Sequence, residues 1–189
     1  MIICHKHKYL IVEGPRTAST AISLELRELY NGEAILRKHF TFNELYKQAS
    51  PEERKYFVFA GIRNPIHSVA SYYHKVKSNH KQAFTTPKDF VEHGGWIKRH
   101  DREQYQFVLE HHADFAPYFK HYFGHTFIHP FFFNRRDYQF IIRFERLQDD
   151  FERVLKLLGI PQARKLPIVN KTAKHPDGFT FEYVPEIQK

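Results

Sequence analysis

Apolar residues come in short dense blocks that alternate with stretches of helical spacing. Tyr9-Leu10-Ile11-Val12 has the length and branching of a buried strand. The run breaks at Gly14-Pro15, after which Ile22, Leu26, Leu29 and Tyr30 recur at helical intervals. Thr41-Phe42-Asn43-Glu44 is a capping-box pattern and predicts a helix ending near Ser50-Pro51. Tyr56 to Ile62 predicts a second buried strand, followed at once by Arg63-Asn64-Pro65 and a helix through about Val76. Ser78 to Thr86 is polar and predicts a mobile excursion, and Thr86-Pro87-Lys88-Asp89 predicts the start of another helix. From Arg102 to Phe123 the chain is helix-rich and studded with aromatics. A third strand is expected at Tyr138 to Phe144. Leu147, Phe151, Val154, Leu155 and Leu158 form the stripe of a last helix closed by Gly159 and Pro161, with an irregular tail from Arg164 onward.

No repeat, low-complexity tract or long linker divides the chain, so a single domain over residues 1–189 is expected. Strand, loop and helix in alternation predict an α/β fold. Its central parallel sheet is flanked by helices on both faces, and its ligand lies outside the carboxyl ends of the strands. At 42% hydrophobic, 189 residues can bury one sizeable core. The single cysteine, Cys4, rules out an internal disulfide framework and suits a reducing compartment. MIICHKHKYLIV has no signal-peptide pattern, and no run nears the roughly 18 apolar residues of a membrane span. A cytoplasmic protein with no transmembrane segment is therefore expected. The formal net charge of +8 favours an anionic partner without choosing among small anions, membrane surfaces and nucleic acid.

Two loops follow predicted strands and so fall on one edge. Pro15-Arg16-Thr17-Ala18-Ser19-Thr20 sets a permanent cation and three hydroxyls where the first N–H groups of a helix lack partners, an arrangement suited to phosphate or sulfate. A nucleoside-triphosphate P-loop needs G-x-x-x-x-G-K-[ST]. GPRTAST lacks its second glycine and its lysine, which disfavours a nucleotide kinase or ATPase. The 14 histidines raise the question of a metal, since His121, His125 and His129 are spaced by four with His111-His112 nearby. Gly124 and Pro130 interrupt that face, and no His-Glu-x-x-His pattern or cysteine pair exists, so no metal site is expected.

Pro15-Arg16-Thr17-Ala18-Ser19-Thr20-Ala21 resembles the 5′-phosphosulfate loop of sulfotransferases that use 3′-phosphoadenosine 5′-phosphosulfate, with the motif pattern of their bacterial and Golgi members. Arg63-Asn64-Pro65 with Ser71 and Tyr72-Tyr73 resembles that family's 3′-phosphate motif, its serine eight residues after the arginine. Ile142-Arg143-Phe144-Glu145-Arg146-Leu147, with Asp150-Phe151 and Leu158-Gly159-Ile160, is similar to the late strand and helix, and Asn170-Lys171-Thr172 to a short motif near the end of many members. Two departures stand out: Ala18 replaces a glycine frequent in the family's loop, and Arg16 stands where lysine is common.

The resemblance implies a P-loop-like, nucleotide-kinase-like sulfotransferase fold and in-line, metal-independent transfer of a sulfuryl group from that nucleotide to a hydroxyl or amine. Pro15, Arg16, Thr17, Ala18, Ser19 and Thr20 would hold the 5′ side, and Arg63 and Ser71 the 3′-phosphate. Arg16 would neutralise the leaving oxygen. His39 is the first choice of base, with Glu44, His67 and His74 behind it. Glu145 is expected to pair locally behind the late strand. The acceptor is left open among carbohydrate, lipid, peptide tyrosine and small phenols. Phe131-Phe132-Phe133 is read as core, and Trp96, Tyr105, Tyr118 and Tyr122 as either helical cover or acceptor pocket. Two other readings accompany this one. A basic polyanion- or nucleic-acid-binding module is suggested by Lys75, Lys77, Lys81 and Arg135-Arg136, though no specific nucleic acid is expected because groove-reading motifs are lacking. The other is a catalytically silent nucleotide-binding member of the fold.

Overall fold

The computed structural model describes residues 1–124 and 137–169. They fall into two compact units, one of residues 1–65 and 137–169, the other of residues 66–124.

The first unit is built on a five-stranded sheet of order β3-β1-β2-β4-β5. β1 (Ile2–Cys4) and β2 (Tyr9–Val12) form an antiparallel hairpin, with Ile3 opposite Leu10. β3 (Glu33–Ala34) adds antiparallel to β1 at the edge. β4 (Phe57–Ile62) runs parallel to β2, with Val12 beside Ala60, and β5 (Phe140–Arg143) runs parallel to β4, with Ile62 beside Arg143. The three parallel strands stand where the apolar runs place them. The sheet as a whole is mixed, because β1 and β3 pair antiparallel; strands of two or three residues beside a short turn carry too little periodicity to be read in advance.

Period-two alternation sends each strand's side chains to two different cores. Cys4, Tyr9, Ile11 and Phe59 meet Ile22 and Leu26 of α1 (Ser19–Leu29) and Phe151, Val154 and Leu155 of α6 (Leu147–Leu157) on one face. Ile3, Leu10, Val12, Val58 and Ala60 meet Leu45 of α2 (Phe42–Gln48) on the other. The unit is thus an α/β layer structure with helices on both faces. The capping box at Thr41 and Glu44 is formed as expected. α6 ends in a Schellman arrangement: Gly159 sits at φ +69°, its N–H bonds Lys156 O, and the Ile160 N–H bonds Leu155 O. The described tail lacks regular structure but is pinned. Arg164 donates to the buried Glu25 and to Glu28 at 3.0 and 2.8 Å, and the Gln148 amide bonds both the N–H and the carbonyl of Leu166.

The second unit packs α3 (Pro65–Lys77), α4 (Arg99–Glu110) and α5 (Phe115–Phe123) around Tyr73, Val76, Phe84, Ile97, Val108 and Tyr118. Two expectations change here. The segment from Ser78 to Thr86 is anchored: Phe84 is buried and stacked on Tyr105, and the Asn79 side chain accepts from the Phe84 N–H. Thr86-Pro87 opens only the short 3-10 turns Pro87–Asp89 and Val91–His93, because the Asp89 carbonyl turns back to accept the N–H groups of Trp96 and Ile97, both at 2.8 Å. Gly95 permits that fold-back, since a Cβ there would lie 2.1 Å from the Asp89 carbonyl carbon. Among the described residues no helix is long and apolar enough to cross a membrane.

One buried acid ties β5 to α6. Asp150 is fully buried and accepts from the Arg143 N–H, Nε and Nη2, each at 2.9 Å. Those hydrogen bonds hold its carboxyl below the usual aspartate range, against the opposing effect of burial. An acid depressed in the folded state stabilises the fold above its unfolded value, near about pH 4, and that contribution is lost as pH falls through the folded value. Asp150→Ala is expected to lower stability by about 2–3 kcal/mol in urea unfolding at neutral pH. Asp150→Asn should flatten the dependence of stability on pH below about pH 4.

Candidate functional site

Because β2, β4 and β5 are parallel and nearly in register, their carboxyl ends release three turns on one edge: 13–18, 63–64 and 144–146. The first two were expected together. The third joins them.

In the first turn Arg16 and Ala18 take left-handed φ values of +64° and +61°, with Thr17 between them on the ordinary side. Left-handed residues next to ordinary ones are the backbone pattern from which anion-binding concavities of N–H groups are built, and they stand here at the start of α1, whose cap residue Ala18 offers no side-chain bond. A left-handed alanine costs about 1–2 kcal/mol, which gives a physical reason for glycine at this position in similar loops. Thr17, expected among the residues of the 5′ side, has its hydroxyl engaged within the loop. It is buried, donates from Oγ1 to the Gly14 carbonyl at 2.9 Å, and rests on Gly61 of β4. A Cβ at Gly61 would lie 2.9 Å from Thr17 Oγ1 and 3.0 Å from its Cβ. Thr17 therefore seats the loop on β4. Ser19 is buried at the first turn of α1, while Pro15, Arg16 and Thr20 are half-buried.

Thr20 reveals a residue the sequence reading missed. Its Oγ1 accepts from Lys38 Nζ at 2.6 Å, which brings an ammonium to the N-terminus of α1 from eighteen residues away. The loop lacks a lysine of its own. Lys38 supplies that charge.

His39, next in the chain, is exposed, and its Nδ1 lies 2.7 Å from the Glu13 carbonyl oxygen, at the carboxyl end of β2. A carbonyl only accepts, so Nδ1 carries the proton and, in the neutral ring, Nε2 carries the lone pair. The same Glu13 has a buried carboxylate that accepts from Ser23 Oγ and from the Met1 amino group, both at 2.6 Å. Burial pushes that carboxyl up, but these hydrogen bonds outweigh it and hold it below the usual range. Glu44, a runner-up base, is engaged elsewhere: its Oε2 accepts from the Thr41 N–H and hydroxyl at 2.7 and 2.8 Å.

In the second turn Arg63 is half-buried. Its guanidinium lies over the Phe144 ring at 3.9 Å, and Nη1 reaches the Arg16 carbonyl at 3.4 Å. Its Nε is buried with no hydrogen-bond partner among the described residues. Burial pushes the Arg63 pKa down, with the Glu145 carboxylate opposing, yet a guanidinium stays charged throughout the physiological range. Glu145 does not merely pair behind the late strand: Oε1 accepts the Asn64 N–H at 2.8 Å, across 81 residues of sequence.

Ser71 stands half-buried on α3, within the second unit, and its assignment to a nucleotide stays with the sequence motif. His67 and His74 lie on the same helix. Tyr118 is wholly buried core and Tyr105 packs on Phe84, whereas Trp96 is 55% exposed with Lys75 Nζ 3.7 Å above its ring. His121 stacks on Phe107. No group of three metal-ligating side chains gathers among the described residues. His125, His129, Phe131-Phe132-Phe133, Arg135-Arg136 and Asn170-Lys171-Thr172 lie outside them.

The first unit thus sets Arg16, Lys38 and Arg63, a loop with left-handed residues and a helix start around one strand edge, with an imidazole beside them. No curated protein and no solved structure matches the chain. The family model described as "Sulfotransferase family" matches residues 1–178, nearly the whole chain and all three turns of this edge. The chain belongs to the sulfotransferase family.

Proposed function

We propose that this protein transfers a sulfuryl group from 3′-phosphoadenosine 5′-phosphosulfate to a hydroxyl or amine acceptor, without a metal, as one sulfotransferase domain over residues 1–189. The observation that carries the reading is Arg63. Its guanidinium is held flat on Phe144 and tied to the Arg16 carbonyl, with a buried Nε left without a partner among the described residues. Leaving a buried donor unpaired costs about 1–3 kcal/mol, which an anion accepting from it would recover.

The residues fit such a nucleotide. Arg63 would meet the 3′-phosphate through charge-assisted bonds, and Ser71 is assigned to the same group by its place in the motif. The N–H groups of 16–20 and the start of α1 would meet the 5′ side. When bound, the donor supplies the activated sulfuryl group and a phosphate oxygen as leaving atom. Sulfuryl transfer, like phosphoryl transfer, leaves the protein chiefly alignment and charge neutralisation to perform. Arg16 does so as a fixed charge at the leaving oxygen, and Lys38, reaching Thr20, adds a second cation at the same helix start. His39 takes the acceptor's proton on Nε2, its ring oriented by the Glu13 carbonyl.

Arg16→Ala is expected to cut kcat by about 10²–10³-fold while 3′-phosphoadenosine 5′-phosphate still raises the melting temperature; undiminished transfer would overturn the mechanism. Ser71→Ala should instead weaken nucleotide binding and spare kcat at saturating donor. His39→Gln should lower kcat by about 10²-fold or more and flatten the limb of the pH–rate profile that rises from acid towards neutral pH. A profile of unchanged shape would exclude His39 as base. A labelled-sulfate assay over carbohydrate, lipid, tyrosyl-peptide and phenol acceptors tests the activity itself, and stabilisation by any polyanion with no transfer would favour a binding module.

A further inference from the structure

The turn after β5 contributes more than a ring beneath Arg63. Phe144 and Glu145 are adjacent in the chain and engage the two adjacent residues of the second turn. The Phe144 ring carries the Arg63 guanidinium at 3.9 Å, and Glu145 Oε1 takes the Asn64 N–H at 2.8 Å. The dipeptide is itself braced. Arg143, just before it, is locked through three hydrogen bonds to the buried Asp150. A chain of contacts therefore runs from the core of the first unit to the guanidinium: Asp150 to Arg143, then Phe144 and Glu145, then Asn64 and Arg63.

We propose that Glu145 is a positioning residue of the nucleotide site, fixing the Arg63-Asn64 turn through the Asn64 amide while its charge competes with the 3′-phosphate for Arg63. The inference rests on the nucleotide reading above. Two properties of one carboxylate act in opposite directions. As a hydrogen-bond acceptor it holds the backbone that aims Arg63, so losing it frees the turn and weakens binding. As a negative charge in the field of Arg63 it opposes the arrival of a phosphate, so neutralising it strengthens binding. Glutamine separates the two, because its amide oxygen keeps the acceptor at the same reach and removes the charge.

Titration calorimetry of wild type, Glu145→Gln and Glu145→Ala with 3′-phosphoadenosine 5′-phosphate and with adenosine 5′-phosphate tests this. For the bisphosphate, Glu145→Gln is expected to bind about threefold or more tighter than wild type, and Glu145→Ala about tenfold weaker. For the monophosphate, which lacks the 3′ group, both variants should stay close to wild type. In assays with the sulfated donor, the donor KM should follow the same order at unchanged kcat. A general loss of packing would shift both nucleotides in one direction, and the glutamine variant, which keeps the hydrogen bond, guards against misfolding of the alanine form. Equal weakening in both variants, or no change in either while wild type binds the bisphosphate, overturns the role of Glu145. Failure of wild type to bind either nucleotide overturns the nucleotide reading, and this inference with it.

Discussion

The close approach of Thr17 to Gly61 governs the geometry of the site. A parallel sheet brings the ends of β2 and β4 side by side, but the loop leaving β2 can lie down on β4 only where β4 has no side chain in the way. Gly61 supplies that gap, and Thr17 fills it, tied by its hydroxyl to Gly14. Once the loop is seated there, the Arg16 carbonyl comes within reach of Arg63, two residues beyond Gly61. The relation between the two candidate anion-binding turns follows from one missing Cβ.

The cations come from separate segments, and this separation explains how a loop without the P-loop lysine can still be strongly basic. Arg16 belongs to the loop, Arg63 to the turn after β4, and Lys38 to the segment before α2. Arg63 is held by the Phe144 ring and Lys38 by Thr20, and the His39 imidazole beside them by the Glu13 carbonyl. Glu13 has the widest reach, because its carboxylate takes Ser23 on α1 while its carbonyl takes His39. The start of the helix and the imidazole are thereby referred to one residue at the end of β2.

The parallel strands, the capped α2 and the stripe of α6 were legible because each rests on local periodicity or a local cap. β1 and β3 were not, being too short to carry a period, nor was the fold-back of Asp89 onto Trp96, which depends on Gly95 meeting a carbonyl rather than on propensity. Within the site, Arg16, Arg63 and His39 could be singled out by residue type after a strand. Lys38 could not, since its reach to Thr20 is created by the path of the chain after α1. The seating role of Thr17 is not legible for a related reason: polar residues in an anion loop look alike in sequence, and only the packing on Gly61 shows which one seats the loop.

Departures from local preference gather at this edge. Arg16, Ala18 and His39 all hold φ near +60°, an arginine is stacked away from water, and the Glu13 carboxylate is buried. Each is a cost that the remainder of the first unit must sustain, and its two cores and the Asp150–Arg143 anchor are what sustain it. An anion that accepts from the N–H groups of the loop and from Arg63 Nε would offset part of that cost without moving the backbone. The loop already holds its left-handed residues, and the guanidinium is already held on its ring. Affinity at such a site comes from groups positioned during folding, so the ordering that binding would otherwise require has already been met by the fold.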